Sequence, residues 1–268
     1  MKNKKLSLII GIVVVAILVV GGGIFAFTRK SGSSNQPAQE QAKKKVAVPV
    51  NIIPVDQRPY MKIVPLADGH NLNLVVQEVK KPATEVDYEL EYQAGSQLQG
   101  AFGLIKLDNV PAEFKVLLGS CSAGGACTFH ENVQGGTMLG KFAGSENYAV
   151  KSDWRYIDNK NKEAAVGSTD SKFQLTADSL KTQRYLVVYN SPGYPEGLKS
   201  TPVSDPYSLT ASAPLTGKGS LTMRASEEGQ FTIMGWDGKA WKNFTTKTDG
   251  KSATAEVDLM ELYILVKN

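Results

Sequence analysis

Apolar and polar residues alternate along much of the chain after Val46, which is the pattern of strands that bury one face. In the clearest segment, 85–93, four apolar residues alternate with four acidic ones: Val86, Tyr88, Leu90 and Tyr92 against Glu85, Asp87, Glu89 and Glu91. We predict a half-buried strand with an acidic outer face there, and residues 71–79 are predicted as its neighbour. Only residues 179–184 suggest a helix, and that segment is short. Further strand candidates, separated by Gly, Pro, Asn and Asp, predict an all-β fold of sandwiches or a barrel.

A polar stretch divides this β-rich region. Residues 157–171 (IDNKNKEAAVGSTDS) are poor in large apolar side chains. We therefore predict a linker at 156–171 between two antiparallel, immunoglobulin-like β-sandwiches, domain 1 at 48–155 and domain 2 at 172–268. Each segment has the usual size of one such domain. A single larger sandwich with a long loop is the alternative.

The N-terminal segment has a different pattern, because residues 6–28 are apolar or neutral throughout. A helix of these 23 residues would measure roughly 34 Å, enough to cross a hydrocarbon core of about 30 Å. Lysines precede the run and Arg29 and Lys30 follow it. The alternatives are a buried core helix and a cleaved signal peptide, but the apolar region of a signal peptide is shorter and ends at a small-x-small site, which this run lacks. The sequence predicts a retained transmembrane anchor.

The charge distribution predicts the orientation of the anchor and argues against a nucleic-acid partner. Residues 1–45 hold eight of the 30 Lys and Arg and one of the 26 Asp and Glu, so 46–268 carries 22 basic and 25 acidic residues, about −3. The lysines before the anchor favour a cytoplasmic tail at 1–5 and extracytoplasmic C-terminal domains in a single-pass cell-membrane protein. Residues 29–47 are predicted to be a disordered tether. We expect the lipid bilayer as a partner of 6–28 and no nucleic-acid partner.

Cys121 and Cys127 are the two cysteines, with glycines between them that let the loop fold back. In an oxidising compartment we expect a disulfide, which stabilises so small a loop by about 2 kcal/mol. Free thiols are one alternative. The other is a metal or redox site of Cys121, Cys127 and His130, with His70 or Glu131 as a further ligand, although this spacing matches no recognised structural zinc pattern. We predict no metal and no cofactor.

Catalytic signatures are weak in this sequence. A Ser-His-Asp or Cys-His arrangement would need His70 or His130, the two histidines of the chain. The acidic residues of 85–91 are interpreted as a solvated strand face. Gly135 and Gly136 are interpreted as a turn between strands, because no helix follows them to make a phosphate loop. The sequence predicts a protein that is not an enzyme and has no catalytic residues.

A hairpin near the C-terminus carries two tryptophans. If Asp237-Gly238 is a two-residue turn, Trp236 lies opposite Lys239 and Met234 opposite Trp241. Trp236 and Trp241 are then diagonal neighbours on one face. They are candidate ligand-binding aromatics, able to stack on a sugar or a protein partner. Alternatively, they cover a sheet face under a neighbouring segment.

Two stretches resemble known groups of proteins. Residues 231–259, with their W-D-G-x-x-W hairpin, resemble the closing meander of bacterial surface β-sandwich modules. Residues 87–136 are similar to uncharacterised, membrane-anchored envelope proteins of small-genome bacteria. The resemblance implies a fold and a location at the cell surface, and it brings no catalytic residues.

Together these observations predict a membrane-anchored, extracytoplasmic binding or structural protein of the envelope, with a protein or glycan partner at the cell surface. One alternative is an envelope enzyme or metal and redox module that uses Cys121, Cys127 and His130. Another is an accessory subunit of a membrane complex that contacts its partners through the anchor helix.

Overall fold

This computed structural model describes residues 49–268 of the chain. Most of the regular structure in this part consists of β-strands. The first strands are β1 (Tyr60–Pro65), β2 (Asn71–Glu78), β3 (Glu85–Ala94), β4 (Gln97–Lys106), β5 (Ala112–Leu117), β6 (Gly119–Cys121), β7 (Cys127–Phe129), β8 (Val133–Ala143), β9 (Tyr148–Asp158) and β10 (Ala165–Gly167). The others are β11 (Phe173–Thr176), β12 (Tyr185–Asn190), β13 (Tyr207–Ala211), β14 (Lys218–Arg224), β15 (Phe231–Trp236), β16 (Trp241–Phe244), β17 (Lys247–Asp249), β18 (Ser252–Asp258) and β19 (Leu262–Lys267). Two 3₁₀ helices span Val55–Gln57 and Asp178–Thr182.

The predicted tail (1–5), anchor (6–28) and tether (29–47) lie outside the described residues. Within 49–268, neither helix has the length and apolar character needed to cross a membrane.

Strand β3 confirms the alternation from which the fold was predicted. Its four apolar residues are buried, while its acidic residues lie on the outer face. There Glu85 pairs with Lys106 of β4, and Glu89 pairs with Lys141 of β8. The acidic row is thus partly neutralised by lysines of both neighbouring strands. All named strand pairs are antiparallel, so the prediction of an all-β, antiparallel fold is confirmed.

The strands form one large sheet and three smaller ones. The large sheet has nine strands in the order β16-β15-β19-β13-β12-β9-β8-β3-β4. The others are β1-β2-β5, β10-β11-β14-β18-β17 and the hairpin β6-β7. The prediction that 71–79 neighbours β3 is wrong, because β2 pairs with β1 and β5. Alternation identifies which face of a strand is buried, and it leaves the hydrogen-bonded partner open.

Two cores lie on opposite faces of the nine-stranded sheet. The three-stranded sheet packs over β3, β8 and β9 on one face, and the five-stranded sheet packs over β13, β15 and β19 on the other. Strand β12 belongs to both cores. Val187 and Tyr189 enter the first, and Leu186 and Val188 enter the second. This strand is buried on both faces and is therefore apolar at consecutive positions.

Residues 156–171, predicted as a linker, hold the end of β9 and all of β10. The nine-stranded sheet continues past this point, because β9 pairs with β12, and Val48–Asn268 forms one compact unit. The polar side chains of 156–171 make hydrogen bonds within its turns and to neighbouring segments. The Asn159 side chain donates to the Leu180 carbonyl (2.9 Å), and Asp170 accepts a hydrogen bond from the Tyr207 hydroxyl (2.7 Å). A polar composition can therefore mark a tightly bonded segment as well as a linker.

The glycine pair Gly135-Gly136 was predicted as a turn, and that prediction is wrong. Both residues lie inside β8, between β3 and β9. A Cβ atom on Gly135 would stand 2.3 Å from the Trp154 carbonyl oxygen, and one on Gly136 would stand 2.3 Å from that of Glu91. The pair is required because neighbouring backbones approach closely.

Candidate functional site

The hairpin of β6 and β7 presents the two cysteines. Cys121 and Cys127 lie directly opposite each other, and their sulfurs are bonded at 2.03 Å. The predicted disulfide is therefore confirmed. Gly125, in the connecting loop, has a φ of +82°, which a residue without Cβ adopts readily. Both cysteines are exposed, so the disulfide closes the tip of a solvent-facing hairpin.

This hairpin brings the two histidines to one cleft. The ring of His70 stacks on Phe129 of β7, with ring centres 4.1 Å apart. His130 Nδ1 lies 2.9 Å from the Tyr92 hydroxyl. Leu118 joins the two segments, since its N–H donates to the His70 carbonyl and its carbonyl accepts from the His130 N–H.

The weak alternative of a metal site was placed on Cys121, Cys127 and His130. Here both sulfurs are bonded to each other, and His130 faces Tyr92. Residues 49–268 contain no group of three His, Cys, Asp or Glu side chains arranged to hold a metal ion.

The cleft has a volume of about 590 Å³ and is lined on its other side by residues of β9 and β12. Asp158 pairs with Lys160 and with Arg184, each at 3.0 Å. The rings of Tyr156 and Tyr185 stack with centres 6.0 Å apart, and the Arg184 guanidinium lies 5.3 Å from the centre of the Tyr185 ring. Tyr156, Asp158 and Lys160 come from the segment predicted as a linker, whereas Arg184 and Tyr185 lie at the start of β12. No local motif connects them with the histidines, so sequence reasoning missed this grouping.

The cleft contains a tyrosine hydroxyl with a raised pKa and several charged hydrogen-bonding groups. Burial, followed by the nearby Tyr185 and Asp158, raises the pKa of Tyr156 far above its ordinary value. Its hydroxyl therefore stays protonated, and it donates to the Gly69 carbonyl at 3.3 Å. With Lys160 and Arg184 as donors, Asp158 as an acceptor and Tyr185 as a flat apolar surface, the cleft can bind a polar ligand that has one apolar face.

The tryptophan hairpin differs from its prediction in register. Trp236 lies directly opposite Trp241, with ring centres 5.5 Å apart, so the loop has four residues. In this loop the Asp237 carboxylate accepts from the N–H groups of Lys239 and Ala240, both at 2.9 Å. The prediction of a two-residue turn is wrong because this side chain caps a longer loop. The prediction that both tryptophans share one face is confirmed.

Both tryptophans are half-buried in a small cluster. Trp241 meets Tyr194 edge-on, and its indole N–H donates to the Glu196 carbonyl at 3.1 Å. Lys80 places its Nζ 4.1 Å from the centre of the Tyr194 ring. Burial lowers the pKa of Lys80, while the carboxylates of Glu78 and Glu196 act in the opposite direction. The segment around Tyr194 thus covers part of the Trp241 ring.

The fold and these surfaces define an all-β protein in which one smaller sheet packs on each face of a shared nine-stranded sheet, with a disulfide-closed hairpin beside a polar cleft. No protein family model matches the chain, and neither the curated proteins nor the solved structures with which it was compared include a significant match.

Proposed function

We propose that this chain is a membrane-anchored, extracytoplasmic binding protein of the cell envelope. It is held by a transmembrane helix at 6–28, with its N-terminus in the cytoplasm and the β-rich unit, in which immunoglobulin-like sandwich packing occurs on both faces of one large sheet, outside. The observation that carries the proposal is the exposed disulfide beside the polar cleft. A solvent-exposed thiol pair stays reduced in the cytosol, whereas an oxidising compartment preserves the bond.

Labelling in intact cells tests the location. In full-length protein with Cys121→Ser and Cys127→Ser, a reporter cysteine is placed at Ile52, which is 68% exposed, or at Asn3 in the basic tail. We expect a membrane-impermeant maleimide to label Ile52→Cys in intact cells and Asn3→Cys only after lysis. Labelling of Asn3→Cys alone before lysis, or of neither, contradicts the proposed orientation.

We assign the binding role to the histidine cleft and propose a glycan of the envelope as the ligand. A sugar ring has an apolar C–H face that can stack on Tyr185, and its hydroxyls match Arg184, Lys160 and Asp158. This pairing of one aromatic face with charged hydrogen-bonding groups supports a sugar over an apolar ligand.

This assignment is tested by measuring how tightly the full-length protein, in detergent micelles, binds polysaccharide purified from the envelope of its own cells. We expect Arg184→Ala to weaken binding about tenfold or more, because the residue supplies charged hydrogen-bond donors to the cleft. Lys218→Ala is the matched control, since it removes one exposed positive charge from β14. Equal binding by both variants, or no binding by the unaltered protein, would show that the cleft does not hold this ligand.

A further inference from the structure

Strand β4 ends the nine-stranded sheet and has no partner on its outer side among the described residues. It is ten residues long. The opposite edge of the same sheet, β16, has four residues, and both edges of the five-stranded sheet have three. Short edge strands and charged side chains are the usual protection against pairing with another chain. Among the edge strands of residues 49–268, β4 is the longest, and its one charged side chain is Lys106 at its end.

The free backbone groups of β4 can be assigned from its register. The Leu107 N–H donates to the Thr84 carbonyl, next to the pair formed by Lys106 and Glu85. Since antiparallel pairs alternate between bonded and non-bonded, odd-numbered residues of β4 bond to β3. Even-numbered residues point their N–H and C=O groups to the open edge. These are Leu98, Gly100, Phe102, Leu104 and Lys106.

The same even-numbered residues place their side chains on the outer face of the sheet. Phe102 is 83% exposed, Leu98 69% and Leu104 44%. Around a Cβ built on Gly100, one atom lies within 4 Å, the Leu90 carbonyl oxygen at 3.7 Å. The open edge therefore combines unpaired backbone groups, three exposed apolar side chains and a gap, which together form a surface ready to accept a strand.

We propose that β4 pairs antiparallel with β4 of a second copy of this chain, about a two-fold axis at Ala101. In this register Leu98 lies opposite Leu104 of the partner subunit, and Phe102 lies opposite Gly100 of the partner subunit. Each phenylalanine covers the gap left by a glycine, and each leucine meets a leucine.

A second copy fits this edge because the outer face of β4 is complementary to itself. Lys106 falls opposite Ser96 of the partner subunit, so no like charges meet directly across the new pair. The acidic row lies one strand further in, on β3, and is partly neutralised by Lys106 and Lys141. A pairing centred on Phe102 would instead set Leu98 against the charge of Lys106.

Disulfide cross-linking of full-length protein in detergent micelles tests both the contact and its register. Leu98→Cys and Leu104→Cys chains, carrying different tags, are mixed and mildly oxidised. Directly opposite residues have Cα atoms about 5.5 Å apart, within the reach of a disulfide. We expect a mixed dimer. Each variant alone should cross-link at least about tenfold less, because its two copies of the cysteine stand roughly 20 Å apart along the strands.

A second pair of variants tests the apolar contact. Adding Phe102→Lys to both chains should lower the yield of the mixed dimer about tenfold, because two symmetry-related contacts are lost together. Ile52→Lys is the control, since Ile52 is 68% exposed and lies outside β4. It should leave the yield unchanged. Absence of the mixed dimer, equal cross-linking by either variant alone, or no effect of Phe102→Lys overturns the proposal.

Discussion

Gly135→Ala is expected to destabilise the fold by about 3 kcal/mol or more, because it combines backbone strain with a steric clash. Gly135 has a φ of +101°, a conformation that residues with a Cβ rarely adopt. The added methyl group would stand 2.3 Å from the Trp154 carbonyl oxygen and 2.7 Å from the Arg155 Cα. Both atoms belong to the backbone of β9, so the clash is relieved only by moving a central strand.

Chemical denaturation of the fragment 46–268 measures this effect. Gly250→Ala is the matched control, because Gly250 also has a positive φ, +57°, and nothing lies within 4 Å of the added methyl group. Its expected cost is about 1 kcal/mol, the strain alone. If the two variants lose the same stability, close approach of β8 and β9 is not the reason for the glycine at 135.

Trp154→Ala is expected to lower the free energy of unfolding by about 3–5 kcal/mol, the usual cost of removing a buried tryptophan. Trp154 is 1% exposed and packs edge-on against Tyr92, with ring centres 6.3 Å apart. Its indole N–H donates to the Glu91 carbonyl at 3.2 Å. The substitution therefore leaves a cavity between the three-stranded and nine-stranded sheets, and it removes one hydrogen bond of β3.

Two further variants separate these contributions in the same denaturation measurement. Trp154→Phe keeps most of the apolar contact and loses the N–H donor, and we expect a cost of about 1–3 kcal/mol. Ile52→Ala removes an exposed apolar side chain and should change stability by less than about 0.5 kcal/mol. A loss of stability in Trp154→Ala no greater than in Ile52→Ala would mean that this core does not hold the sheets together.

Part of the candidate site could be predicted from the sequence, and part of it could not. Cys121 and Cys127 are close along the chain, and the glycines between them favour a closed loop, so their disulfide could be predicted locally. Arg184 and Tyr185 reach His70 and His130 only because β12 pairs with β9. That pairing joins residues far apart in the sequence, and no motif or spacing in the sequence predicts it.

The all-β antiparallel fold, the buried face of β3 and the face shared by Trp236 and Trp241 could be predicted from the amino-acid sequence. Each follows from the two-residue period of a strand, which is a local property. Three other features became visible only in the three-dimensional fold: β2 shares a core with β3 without pairing with it, the large sheet continues across 156–171, and Gly135 lies inside a strand. Strand partners and close backbone approaches depend on contacts between segments that are distant in the sequence, and the local periodicity of a strand carries no information about those contacts.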